Sequence, residues 1–456
     1  MEDIVSLKCD RMAAETWLFS RSRLIIRRGA LSFDKITVFS LLVCLLLSAL
    51  SVSACGRKAS PGATDRTPVS PGTTSTTPTA TVGDKLGFHT TRAKGEQECI
   101  VVLTNFPDVK RQYPEKMLSD RITNFLGPYF QVASYDKLRL QVDVSKPIVL
   151  PKPVSYYKIS PRNLEVDHSK VAALVTDAVN AADSDINFND YDYVILAFGA
   201  TQVEYGMVGL CPIPGMLGFE ITSKTNKSGE VINNAAVFAE NAHLGTYVHD
   251  TLHMLGGRIG TQRVTPCLYD HDLQAKYPFM PDFAKAMINM GFWDPLSSHA
   301  PYKLELPPTG LSSWTKLRLN WVDESKIALV PAGQTATVDL GPLTDRNSAT
   351  LVIKIPITDK TYYLVENRQK IGSDVNCPTS GILVLYADDS IYECRQGQSP
   401  VKIMDANPSV PYFNDATFDI GKKDRYVDTK NNIAIILQKK DGLSYQIQVT
   451  TADKAK

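Results

Sequence analysis

The sequence predicts an α+β fold, with a mixed portion first and a β-rich portion after it. Three observations carry that reading. Between residues 98 and 253, short apolar strands alternate with segments of helical period. After Ile327 the chain turns to short strands broken by turn residues, the pattern of a β-sandwich. Near the end of the first portion, a helix-like run carries two histidines four residues apart, His249 and His253.

Taken in order, residues 98–104 (Glu-Cys-Ile-Val-Val-Leu-Thr) form a buried strand, closed by Asn105-Phe106-Pro107-Asp108. Residues 114–130 have helical period, with Met117, Ile122, Phe125 and Leu126 on one face. Residues 138–144 alternate as a half-exposed strand should. A second helix covers 163–182, with Val171, Leu174, Val175 and Val179 inward. Strands follow at 193–199 and 235–239, the latter expected at a sheet edge and leading into the histidine helix. Trp293 to His299 reads as a turn and Gly310 to Trp321 as an amphipathic helix. Strands are expected at 335–340, 349–355, 361–366, 381–386, 433–437 and 445–449, which puts a domain boundary near Val330 and divides the body into 85–330 and 331–456.

The histidine run reads His249-Asp250-Thr251-Leu252-His253-Met254-Leu255-Gly256-Gly257. Residues i and i+4 of a helix share a face, so the two imidazoles can share one metal ion, most often zinc. The run matches the zincin motif His-Glu-x-x-His with Asp250 in place of the glutamate. Gly256 falls where a metzincin-type helix stops and turns. A catalytic zinc needs a third protein ligand. The segment Cys267-Leu268-Tyr269-Asp270-His271-Asp272 offers Asp270, His271 and Asp272 as candidates. Their ordinary alternatives are a helix cap, a loop carboxylate and a solvent histidine. His299 is a candidate donor behind the site, and a plain turn residue equally well.

The ends of the chain and its composition place this body. A formal net charge of +1 over 456 residues gives no reason to expect nucleic acid. Basic residues up to Lys35 precede an apolar run from Ile36 to Leu50, then Val52-Ser53-Ala54-Cys55-Gly56. Such a pattern is a secretory signal, and its small-small-Cys ending resembles a bacterial lipobox. That implies cleavage before Cys55 and a lipid on its sulfur, with 1–55 as signal peptide. The long stretch before the apolar run points to a translation start at Met12 or later. Residues 56–84 are rich in Pro, Ser, Thr and Gly and read as a disordered tether. The expected location is the extracytoplasmic side of the bacterial envelope, lipid-anchored or released. In that oxidising compartment Cys377 could pair with Cys394, and Cys211 with Cys267, with connectivity open.

Several stretches, in order, resemble the M6 (immune inhibitor A-like) family of secreted metallopeptidases. They are Val101–Asp108, His249–Gly256, Cys267–Asp270, Trp293–Ser297, Leu311–Trp321 and Tyr363–Arg368, spanning roughly residues 98 to 450. The resemblance implies a zincin-like peptidase domain followed by a β-rich domain, with structural calcium an added option. Three departures stand out. The family's catalytic glutamate is Asp250 here, and the methionine of the turn below the zinc is Leu296. Where the family has an acidic third ligand in a Pro-Asp-Leu-Tyr-Asp run, this chain has Pro266-Cys267-Leu268-Tyr269-Asp270.

The expected function is hydrolysis of peptide bonds in protein or peptide substrates by a zinc-bound water, with His249 and His253 as ligands and Asp250 as the base. The chain is read as a monomer held to the membrane through its N-terminal lipid. An aspartate is one methylene shorter than a glutamate, about 1.5 Å less reach. A misplacement of about 1 Å can cost around a hundredfold in rate. The alternative is therefore a weak or inactive zincin-fold lipoprotein that serves as a binding module.

Overall fold

The first sheet is built on β1 (Gly95–Asn105), whose inner residues from Cys99 to Leu103 are apolar and buried on both faces. Such two-sided burial is what a central parallel strand requires. In this computed structural model, which describes residues 84–215, 221, 223–279, 281–300 and 307–455, β1 pairs in parallel with β2 (Leu138–Val144), with the short β3 (Ile148–Val149) and with β4 (Tyr193–Phe198). The expected lipid site Cys55, the signal and nearly all of the tether lie outside the described residues. No helix among those residues is long and apolar enough to cross a membrane.

Two further strands complete the sheet. β5 (Gly209–Ile213) is antiparallel to β6 (Ala235–Ala239), and the order is β2-β1-β4-β6-β5. This corrects one expectation: the strand that leads into the histidine helix is internal, and the edge is β5. The segment Gly-Leu-Cys-Pro-Ile hides a strand behind two residues that usually mark turns.

Helices flank this sheet. α1 (Glu115–Arg121) and α2 (Gly127–Ala133) are joined by a π turn over Ile122–Leu126, so the expected single helix is interrupted. α3 (His168–Ala182) starts later than expected, because the Asp167 carboxylate caps the free N–H groups of Ser169 and Lys170. It buries Val171, Leu174, Val175 and Val179 against Ile100, Val102 and Leu196 on one face of the sheet. The opposite face packs on α4 (Leu244–Gly256), the histidine helix, through Val101, Phe238, Val248, Leu252 and Leu255. Beyond α4 come two short helices, α5 (His271–Lys276) and α6 (Ser313–Arg318). α6 is buried all round, Lys316 and Arg318 included, and so is not the amphipathic surface helix its composition suggests.

The β-rich portion has two sheets. One takes β7 (Ile327–Leu329), β9 (Val352–Pro356), β10 (Thr361–Arg368), β11 (Gly381–Asp388) and β12 (Val401–Ile403), in the order β7-β9-β10-β11-β12. The other is β8 (Ala336–Leu340), β15 (Ser444–Thr450), β14 (Ile433–Asp441) and β13 (Arg425–Asp428), paired in that order. They share one core, in which Ile353, Tyr363, Val365 and Val384 meet Ile433, Ile435, Ile447 and Val449.

Period-two alternation gives β10 its second role. Tyr363 and Val365 face the sandwich core, whereas Tyr362 and Leu364 join the core beneath the histidine helix. The first and second portions thus share a hydrophobic core, and all described residues fall in one contact unit.

Candidate metal centre

α4 begins at His243, whose Nδ1 accepts from the Gly245 N–H at 3.1 Å, and it ends where Gly257 takes φ +62° and donates to the His253 carbonyl. The turn residue is thus Gly257. Gly256 is needed for close approach instead, since a Cβ there would fall 2.0 Å from Thr265 Oγ1. The missing side chain lets Thr265 lie against the helix end, with Oγ1 donating to the Leu252 carbonyl at 2.7 Å.

Both histidines are buried, and each has one ring nitrogen fixed. His249 Nδ1 donates to the Pro295 carbonyl at 2.8 Å, and His253 Nδ1 donates to the Thr265 carbonyl at 2.5 Å. A carbonyl only accepts, so each Nδ1 carries the hydrogen and each Nε2 presents a lone pair. Those two Nε2 atoms face each other at 3.0 Å. The sulfur of Cys267 lies 3.6 Å from one and 3.5 Å from the other. Three electron-pair donors converge in the protein interior. His249, His253 and Cys267 form a group that could hold a metal ion, and no second such group gathers among the described residues.

The surrounding charges act differently on each member of the group. Burial and the nearby Arg263 charge hold His253 down, at about 4, so it is neutral and ready to ligate. Burial alone would push the Cys267 thiol up, but the neighbouring histidines and Arg263 hold it well below its ordinary range. Burial also disfavours charge on His249, yet the adjacent sulfur and Asp250 raise its pKa.

The other expected site residues are placed as follows. Asp250 is buried at the floor of a cleft of ≈ 180 Å³, together with His249 and Tyr269. Burial pushes its carboxyl up to about 7, against the pull of His249. Its Oδ2 sits against the edge strand at Gly209, where a Cβ would come within 2.6 Å. His299 packs edge-on against His249, ring centroids 4.0 Å apart, and stacks on Phe283. It lines the same cleft, its Nε2 is buried without a hydrogen-bond partner, and burial keeps its pKa well below normal.

The three acidic-segment candidates are not gathered with the histidines. Asp270 caps α5, its Oδ1 accepting from the N–H groups of Asp272 and Leu273 while its Oδ2 accepts from Gly397. Asp272 faces Arg395 with a 2.8 Å bond. His271 is buried beside Glu393, at 3.5 Å. The donor that sequence reasoning passed over is Cys267, although it stands where the resemblance puts the ligand. Expecting a Cys211–Cys267 disulfide hid it. All five described cysteines are unpaired. Cys211 donates to the Ile213 carbonyl, Cys377 to the Thr379 carbonyl, and Cys394 lies against Ser399 Oγ.

The turn below the metal group is braced from afar. Asp294 Oδ2 accepts from the Ser312 N–H and from the hydroxyls of Ser312 and Thr315, while its Oδ1 accepts from the Leu296 N–H. Arg368, fully buried on β10, donates to the Trp293 carbonyl at 3.0 Å and pairs with Glu366 and Asp374. The turn in turn gives its Pro295 carbonyl to His249 and its Leu296 carbonyl to the Leu268 N–H, next to Cys267. Comparison with known proteins adds nothing to this geometry: no family model and no curated protein matches the chain.

Proposed function

We propose that this chain is a zinc metallopeptidase of zincin-like design, with Cys267 as the third ligand beside His249 and His253. The observation that carries the reading is the convergence of two carbonyl-fixed imidazoles and the Cys267 sulfur, with His249 lining a cleft. The donor spacing supports zinc. Tetrahedral zinc with nitrogen at about 2.05 Å and sulfur at about 2.3 Å needs an N–S separation of about 3.6 Å and an N–N separation of about 3.3 Å. When bound, zinc would supply Lewis acidity toward a scissile carbonyl and toward water.

The rest falls to the chain's own groups. Asp250 lines the cleft beside His249 and is the carboxyl group placed to hold or release a proton, as a general acid–base residue must. The backbone at Met207, Val208 and Gly209, where β5 begins, lines the cleft beside which an extended peptide would lie. Tyr269, Phe283 and His299 wall the cleft.

The test is elemental analysis and peptide turnover on one preparation. We expect one zinc per chain and cleavage abolished by a chelator. Stoichiometric zinc with no turnover on a broad peptide panel rejects the enzyme and leaves the binding module. Asp250→Glu then tells whether the shorter carboxylate limits the rate. A gain means compromised reach, and a loss means a site built for aspartate. The N-terminal part of the proposal places the enzyme on the outer face of the membrane through a lipid on Cys55. Intact-mass analysis of the membrane fraction should find a chain that begins at a lipid-modified Cys55, and an uncut or unmodified chain discards that part.

A further inference from the structure

Cys267 has a guanidinium against its sulfur. Arg263 lies at the end of a two-stranded turn just after the histidine helix and is buried. Its Nη2 donates to Cys267 Sγ at 3.8 Å and to Glu393 Oε2 at 3.1 Å, while its Nε donates to Glu393 Oε1 at 3.2 Å. His271 closes the other side of the same carboxylate, its Nε2 3.5 Å from Oε2. Glu393 arrives from the segment between β11 and β12, so the β-rich portion supplies the counter-charge. One guanidinium is thus shared between a carboxylate and a sulfur, out of water.

We propose that Arg263 is a positioning residue that draws electron density from the Cys267 sulfur, and that Glu393 sets how strongly it does so. The inference rests on the reading of Cys267 as a metal ligand. A thiolate gives its metal more charge than a neutral imidazole does and blunts its Lewis acidity. A fixed cation beside the sulfur, poorly screened in the interior, counters that effect. The arrangement reconciles a sulfur ligand with hydrolytic chemistry.

The test loads the full-length protein with Co²⁺ and reads the sulfur-to-cobalt charge-transfer band in the near ultraviolet. Arg263→Gln leaves the sulfur richer in electrons, so the band should move to longer wavelength. Glu393→Gln frees the guanidinium for the sulfur, so the band should move to shorter wavelength. Arg263→Lys keeps a charge and should fall between Arg263→Gln and the parent. A merely structural role would not give shifts of opposite sign. If Arg263→Gln fails to fold, Glu393→Gln and Arg263→Lys carry the test. Bands that stay put, or move in the same direction in both glutamine variants, overturn the inference while leaving Cys267 a ligand. If the parent protein takes up Co²⁺ without any such band, Cys267 is not a ligand, and both the metal reading and this inference fall.

Discussion

The mixed portion and the β-rich portion treat buried charge in opposite ways. Around α4, the convergent donors His249, His253 and Cys267 face one another, and neither imidazole Nε2 meets an N–H donor. Around β10, Arg368 is fully enclosed but satisfied, with two carboxylates and two carbonyls taking its donors. An unanswered cluster in an interior is costly unless a ligand completes it, whereas a fully answered one sets a single geometry. The difference teaches a division of labour. The chemistry-bearing groups lie in the mixed portion, and the β-rich portion holds the turn that orients them.

The comparison can be broken from either side. The largest effect is expected at the unanswered cluster: His253→Ala or Cys267→Ser should take bound zinc from one per chain to a small fraction, read by elemental analysis after dialysis. Next comes the answered cluster. Arg368→Met strands Glu366 and Asp374 in the interior, and breaking such a buried pair costs about 3–5 kcal/mol in urea unfolding. Zinc affinity should fall with it, because the Trp293 carbonyl loses its anchor. If stability falls and zinc affinity at native conditions does not, the two regions are independent.

A smaller effect is expected at the end of the histidine helix. Gly256→Ala places a methyl against Thr265, and overpacking of this kind costs about 1–3 kcal/mol. It also loosens the carbonyl that holds His253 Nδ1, and loss of such an outer partner lowers metal affinity about 10–100-fold. Competition with a chromophoric chelator measures that drop.

The last effect leaves zinc binding untouched and concerns Lys316, buried on α6, whose Nζ donates to the Ala133 carbonyl at 2.6 Å and lies over the Tyr135 ring. Burial brings its pKa down to about 7. The unfolded chain keeps a lysine near 10.4. Between those values the unfolded state binds the extra proton, so stability rises with pH across that window, by about 1.4 kcal/mol per unit at most. Below about pH 7 both states are charged and the penalty is fully present. Lys316→Met should flatten the slope in denaturation curves taken from pH 7 to 10.

Much of this was legible in the chain. Strand Leu138–Val144 and strand Ala235–Ala239 fall where their apolar pattern puts them, because a sheet buried on one face or two writes period two or a continuous apolar run into the sequence. The His249/His253 pair needs only helical spacing to meet, so four residues of sequence determine it. The third donor was not legible in that way. Cys267 reaches the imidazoles across a hairpin, Asp270 is diverted to cap a helix, and a strand edge hides in a segment with glycine and proline.

The sequence by itself determined the strongest local periods, such as the strands at 138–144 and 235–239, and which two imidazoles share a face. Only the tertiary structure decided which sulfur joins them, which carbonyls fix their tautomers, and that Arg368, more than a hundred residues downstream, holds the turn beneath them. The physical reason is range. Helical and strand periods are set by neighbours along the backbone. Ligation and buried-charge pairing join groups far apart in the chain, and only close packing fixes where those groups meet.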